Sequence, residues 1–251
     1  ASVTSQRFSS YEWLICDDGS TDDSGEILTQ ADASNPNIHV FTQENHGVSA
    51  ARNTCLRHVS GRYLMFLDAD DALGSDCLSR LHEKMSSTGA DFCIYGWYIH
   101  QGDNLFSYVF EEQEMRASFE ELYGMILKDP YLCGGGYPWN KLWRTDSFEE
   151  LPLFDENLRH YEDKLWTLQC LDLLKSPSVA FLNEPLYHYF LRESSLSHSM
   201  TPEAYMALAG YTLDSLEAIR AYIKKAHPQA SSACDELIQK KLTEIRGNLE
   251  P

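Results

Sequence analysis

The 251-residue chain is poor in basic residues: 20 Lys and Arg stand against 38 Asp and Glu, a formal charge of −18. Such an excess repels polyanions, so a broad basic face for nucleic acid is excluded. A phosphate-bearing ligand must then be met locally, by a metal ion or a few placed arginines. No apolar run approaches the roughly 20 residues that span a bilayer, and no secretory leader is read, so a soluble chain is expected. A basic amphipathic helix suited to membrane docking is also lacking. Seven cysteines are scattered without a C-x-x-C pair, several inside apolar runs such as Leu14-Ile15-Cys16 and Phe92-Cys93-Ile94. That distribution predicts buried, reduced, cytosolic thiols. There is no nucleophile elbow, which leaves a Ser/His/Asp or Cys/His hydrolase unsupported, and no internal repeat or low-complexity segment.

What the chain does have is enough apolar residue, 43% hydrophobic with 12% aromatic, to build a sizeable core. Tyr11–Cys16, Ile38–Thr42, Tyr63–Leu67 and Asp91–Tyr98 read as strands. Between them, Ser24–Asp32, Val48–His58 and Cys77–Ser87 carry helical spacing. This alternation predicts an α/β fold with βαβ units and a largely parallel sheet, whose ligands bind beyond the carboxyl ends of the strands. Further on, Ser118-Phe119-Glu120-Glu121 has the form of a capping box opening a helix to about Leu127. Cys133–Pro138, with three successive glycines, reads as a loop. Glu162–Leu174 reads as a helix, and Val179–Leu182 with Leu186–Leu191 as strands. Thr201-Pro202-Glu203 starts a helical region reaching Leu249, broken near Pro228. The expected organisation is a domain over residues 1–200 and a helical C-terminal extension over 201–251.

Two acidic clusters follow strands directly: Asp17-Asp18-Gly19-Ser20-Thr21-Asp22 and Asp68-Ala69-Asp70-Asp71. Each alone is ordinary turn chemistry. If the two strands are parallel neighbours, both clusters face one crevice, where massed carboxylates resist ionisation unless something positive joins them. Oxygen-rich sites of that kind suit Mg²⁺ or Mn²⁺. In an extended D-x-D, Asp68 and Asp70 point the same way and can share one ion or its ligand.

Three segments in order, Asp17–Asp22, Asn45-His46-Gly47-Val48-Ser49-Ala50-Ala51-Arg52-Asn53 and Gly61–Asp71, resemble successive signatures of family 2 glycosyltransferases. The resemblance continues through Pro138-Trp139-Asn140-Lys141-Leu142-Trp143, Tyr161-Glu162-Asp163 and Pro185-Leu186-Tyr187-His188-Tyr189, covering roughly residues 1 to 200. It implies a GT-A fold, a Rossmann-like sheet flanked by helices, and transfer of a sugar from a UDP-sugar to an acceptor hydroxyl with inversion. It places Asp17 and Asp18 on uracil and ribose, Asp68 and Asp70 on ribose and on a Mn²⁺ or Mg²⁺ bound to the diphosphate, and Asn45 and Arg52 near the nucleotide. It also assigns Glu162 and Asp163 to the acceptor side. An attacking hydroxyl needs a base within hydrogen-bond reach, so Asp163 is the expected general base with Glu162 supporting it. A plain reading of that pair as charge at a helix N-terminus competes. His188 is a further candidate metal ligand, against packing within an aromatic strand. Trp139, Trp143 and Trp166 offer an acceptor platform, though core packing is expected for at least two.

By the same resemblance, Ala1–Trp13 aligns with the end of the first helix and the entry to the second strand. The opening strand and most of the first helix are therefore expected to be absent, leaving unpaired backbone in the sheet. Phe190 stands where relatives often carry arginine, with Arg192 nearby. Relatives suggest an acceptor that is a glycan, a lipid-linked sugar or a polymer in cell-surface polysaccharide or glycoconjugate synthesis. They also suggest a cytoplasmic setting at the inner face of the membrane, with peripheral association open. Two alternatives in other classes are a non-catalytic module binding a nucleotide sugar or glycan, and a nucleotidyltransferase.

Overall fold

The computed structural model describes residues 1–128, 135–191 and 201–247. The first half alternates strand and helix: β1 (Trp13–Asp17), α1 (Ser24–Ser34), β2 (Ile38–Thr42), α2 (Val48–Leu56), β3 (Tyr63–Leu64), β4 (Ala72–Leu73), α3 (Cys77–Thr88) and β5 (Phe92–Gln101). The second half adds β6 (Asn104–Tyr108), β7 (Glu114–Arg116), α4 (Phe119–Lys128), β8 (Lys141–Arg144), α5 (Glu162–Leu174), β9 (Ser178–Leu191), α6 (Pro202–Ala226) and α7 (Ser231–Gly247).

The α/β architecture is as the sequence predicts, but its strand pairing is more mixed. β1 and β2 form a parallel pair by themselves, while seven strands join in a second sheet of order β3-β8-β5-β9-β4, with β6 on β5 and β7 on β9. In that sheet only β5 and β9 run parallel; every other pair is antiparallel. The reason is visible along the chain. β6 folds straight back on β5 through a turn at Gly102, and β8, after β7 and α4, comes back antiparallel against β5. The two strands expected between residues 179 and 191 are one, Ser178–Leu191, running past Pro185. A register shift in its partner around Gly96 accommodates this, where a Cβ would stand 2.4 Å from the Tyr108 carbonyl oxygen.

Only Tyr63–Leu64 of the expected Tyr63–Leu67 strand is paired; Met65, Phe66 and Leu67 have no ladder partner among the described residues. They line one side of a cleft of about 1400 Å³, whose other side is β1 from Trp13 to Asp17.

Two hydrophobic clusters fill the faces of the larger sheet. One holds Leu81, Met85, Tyr95, Trp97, Trp139 and Tyr187. The other joins Phe92, Trp143, Trp166 and Leu168 to Leu216, Ile219, Ile223 and Ile238. Helices α6 and α7 thus share a core with α4 and α5. All three candidate platform tryptophans are core: Trp139, Trp143 and Trp166 are 6%, 0% and 1% exposed. The capping box forms as read, Ser118 N–H donating to Glu121 at 2.8 Å and Glu121 N–H to Ser118 Oγ at 3.2 Å. Six cysteines are free thiols, four of them buried. Cys133 and Gly134 of the expected loop, and the end of the last helical region at Leu249, lie outside the described residues, as does Arg192.

Candidate active site

β1 ends at Asp17, which is 7% exposed and accepts the Ser20 N–H at 2.9 Å, closing the turn through Gly19. Gly19 has φ +80°, and a Cβ there would meet the Asn45 nitrogen at 2.9 Å. The tight turn and the close approach of the Asn45 loop both require glycine. Asp18 gathers that loop. Its carboxylate accepts the Gln43 side chain at 2.8 Å and the His46 and Gly47 N–H groups at 3.0 and 2.8 Å. Burial alone would raise its pKa, but the His46, Gln43 and Gly47 hydrogen bonds outweigh burial and hold it below the ordinary value. Asn45 is exposed on the same loop.

Helix α2 delivers Arg52 into the centre. Its Nη2 lies 3.0 Å from Asp68 Oδ1 and its Nη1 lies 2.9 Å from Glu162 Oε1, with the guanidinium 5.2 Å from the centre of the Phe154 ring. One rigid fork therefore ties the D-x-D loop to the first turn of α5, Arg52 and Glu162 being 110 residues apart in sequence. Burial works against the Arg52 charge, but Asp68, Glu162 and Asp163 more than restore it.

The D-x-D loop rests on β9. The Tyr187 hydroxyl, on a fully buried side chain, donates to Asp71 at 2.7 Å and accepts the Asp68 N–H at 3.2 Å. The Phe190 N–H adds a second hydrogen bond to Asp71 at 3.0 Å. Asp71 is pushed up to about 6, first by burial and further by Asp70 and Asp68, against the lowering pull of Tyr187 and Phe190. Asp70 stands exposed at the loop's tip. His188 is next in β9; its Nδ1 lies 2.8 Å from His100 Nε2 and its ring stacks on Tyr98. Phe190 stacks on His100, its ring centre 4.2 Å away.

Asp163 lies in the first turn of α5, where it accepts the N–H of Lys164 at 2.6 Å. Its pKa is raised to about 6, by burial first and then by Glu162, with Arg52 and Lys164 opposing. A carboxylate poised there is ionised at neutral pH yet basic enough to take a proton.

The cleft walls thus bring together Asp17, Asp18, Arg52, Asp68 and Asp71, and Arg52 joins Glu162 to them. Asn45, Asp70, Asp163 and His188 are not among the residues lining that cleft. Two residues of the site were not singled out from sequence. Asp71 was the third acid of its run, and Tyr187 lay in the Leu-Tyr-His-Tyr segment with only its hydroxyl to mark it. Among the described residues no three His, Cys, Asp or Glu side chains form a ready metal cage. The donor set still fits a hard divalent ion of the kind held by one or two carboxylates plus substrate phosphates and water.

A crevice of carboxylates at the carboxyl end of β1 and at the D-x-D loop, with one placed arginine, lies where α/β sheets bind their ligands. The profile of Glycosyl transferase family 2 matches residues 1–151, and the chain belongs to that family. Glycosyltransferase GlyA of Streptococcus pneumoniae serotype 4 is 33% identical over 216 residues, covering 82% of this chain and 30% of that one. S. aureus TarS 1–349, solved in complex with UDP, superposes with a TM-score of 0.68 at 19% identity, over 96% of this chain and 64% of that one. Mannosyltransferase PcManGT from Pyrobaculum calidifontis, solved with GDP-Man and Mn²⁺, gives a TM-score of 0.55 at 12% identity, over 96% and 69%. The fold is the GT-A fold of these neighbours. The chain spans less than two thirds of the length of the curated relatives it matches.

Proposed function

We propose that the chain transfers a sugar from a UDP-sugar to an acceptor hydroxyl, with inversion at the anomeric carbon, in cell-surface polysaccharide or glycoconjugate synthesis. The observation that carries this is the Arg52 bridge, which links the D-x-D carboxylate Asp68 on the cleft wall to Glu162, the neighbour of Asp163 at the start of α5. In this reading Asp17 and Asp18 face uracil and ribose, and Asn45 and Arg52 approach the nucleotide. Asp68 and Asp70 hold a Mn²⁺ or Mg²⁺ ion, with His188 as a further candidate ligand. When bound, that ion supplies Lewis-acid charge to the departing diphosphate. The UDP and GDP-Man/Mn²⁺ complexes of the structural neighbours support the donor class and the metal.

Asp163 takes the proton of the acceptor hydroxyl as its oxygen bonds to the anomeric carbon. The bond from that carbon to the diphosphate oxygen breaks on the opposite face, and UDP leaves with the electron pair. Glu162, paired with Arg52, stands beside Asp163, and its charge helps keep the Asp163 proton affinity high. The acceptor is a glycan, a lipid-linked sugar or a polymer, met in the cytoplasm at the inner face of the membrane. No described helix is long and apolar enough to cross a membrane.

Product analysis tests the reading. Incubated with UDP-sugars and Mn²⁺, the protein should release UDP together with a glycosylated acceptor or free sugar. Release of pyrophosphate would instead identify a nucleotidyltransferase, and nucleotide-sugar binding without turnover a recognition module.

A further inference from the structure

Helix α5 begins in an unusual way. Its N-cap is Tyr161, which has φ 57° and whose own side chain does not cap the helix. The left-handed conformation is unfavourable for a bulky residue, so the surroundings must impose it. Tyr161 also supplies the carbonyl that receives the first helical hydrogen bond, from Leu165 N–H at 3.2 Å, so its backbone aims the turn that carries Glu162 and Asp163. With neither a glycine nor a capping side chain at the N-cap position itself, the direction of this start is set by contacts from outside the helix.

The outside contacts come from the C-terminal helices and fall on three consecutive residues. Arg159 donates to the Tyr211 hydroxyl at 3.2 Å and lies over the Tyr211 ring on α6. His160 Nδ1 lies 2.8 Å from Thr212 Oγ1, one residue further along α6. The His160 ring stacks on Tyr161 with centres 4.2 Å apart. The Tyr161 hydroxyl in turn faces the Lys241 ammonium of α7, whose charge acts on it, and Lys164 lies 4.7 Å from the centre of the Tyr161 ring. Lys241 is itself braced by Glu244 at 2.6 Å, one turn along α7. Leu242, beside Lys241, packs against the same core as Tyr161.

We propose that α6 and α7 position the catalytic carboxylate, with Tyr161 and Lys241 as positioning residues that hold the first turn of α5 in place. This rests on the reading of Asp163 as the base. It makes the C-terminal helical pair part of the catalytic apparatus without touching substrate. A small loss of aim at a base costs turnover rather than donor binding, because the groups assigned to the donor sit on β1, α2 and the D-x-D loop. The charged and titratable groups facing the turn are Arg52 from α2, Glu162 and Lys164 from α5 itself, His160 from the preceding segment, and Lys241 and Glu244 from α7.

The test compares Lys241→Met, Tyr161→Phe, Lys241→Arg, the exposed neighbour Lys240→Met and Asp163→Asn in donor-turnover assays across pH, with melting curves for each. Lys241→Met and Tyr161→Phe should lower kcat on the order of tenfold, leave the donor KM within about twofold, and displace the acid limb of the pH profile. Lys241→Arg should recover most of the loss, and Lys240→Met should match the parent. The inference falls if Lys241→Met keeps the parent kcat and pH profile while Asp163→Asn is inactive, which leaves the base assignment standing. It also falls if Lys241→Arg is no better than Lys241→Met, or if lost activity only tracks lost folded protein. Normal turnover by Asp163→Asn removes the base assignment, and this inference with it.

Discussion

Replacing Asp163 by asparagine should make the protein more stable while removing its turnover. The carboxyl is raised from 3.8 to about 6 in the folded chain, chiefly by burial, then by Glu162. An acid raised in this way holds its proton more tightly when folded, so folding is penalised wherever the group is ionised. The cost is small below about pH 4, grows between about 4 and 6, and is constant above that. A tenfold change in proton affinity is about 1.4 kcal/mol, which sets the full cost at about 3 kcal/mol at pH 8 and well under about 1 kcal/mol at pH 4. Because the side chain is only partly buried, solvent screening reduces the pH 8 figure to about 2 kcal/mol. Asparagine keeps the shape and an acceptor for the Lys164 N–H, and Arg52 retains Asp68 and Glu162 as partners. For a chain of 251 residues each kcal/mol moves the melting temperature by about 2–4 °C. Asp163→Asn should therefore melt about 4–8 °C higher than the parent at pH 8 and within about 2 °C of it at pH 4. Its turnover should fall on the order of 10² or more. Scanning calorimetry at the two pH values is the assay. A variant that melts no higher than the parent at pH 8 would refute the strain assigned to this carboxylate.

Other sites give sharper local tests. Arg52→Lys keeps the charge but loses the fork that reaches Asp68 and Glu162 together; urea denaturation should show a loss of about 1–2 kcal/mol, and turnover should drop with it. Tyr187→Phe removes both hydrogen bonds beneath the D-x-D loop and should cost about 1–2 kcal/mol, read from the urea midpoint. Gly136→Ala places a Cβ 2.6 Å from Lys164 Cα, next to the base, so kcat should fall and the melting temperature with it, an overpacking loss of about 1–3 kcal/mol.

Much of this was legible because strongly patterned segments carry their own signals. Ile38–Thr42 and Glu162–Leu174 fall where β-branched content and helical spacing put them. The Asp17 cluster stands where β1 ends, whereas Asp68–Asp71 lies in the loop between β3 and β4, past three residues with no ladder partner among the described residues. β4, with two residues, and β7, with three, exist only because β9 offers them an edge, so no local pattern marks them. β8 is harder still. It opens on Lys141, a cation with no exposure, held by the Gly135 and Tyr137 carbonyls and the Asn140 side chain. Composition argues against burying that residue, and acceptors such as these permit it. Within the site, the types and roles of single residues could be anticipated from the resemblance. Arg52 as a link between two distant carboxylates could not, since side-chain pairing across the fold leaves no periodic trace. The same holds for the Tyr187 hydroxyl and for the grip of α6 and α7 on residues 159–161.

The most direct test of a metal-held UDP site is isothermal titration of UDP into the protein with and without Mn²⁺. Saturable binding is predicted with Mn²⁺, weakened by about tenfold or more when the metal is left out or when Asp68 and Asp70 are replaced by alanine. UDP binding of equal strength with and without metal, or none in either condition, would contradict it.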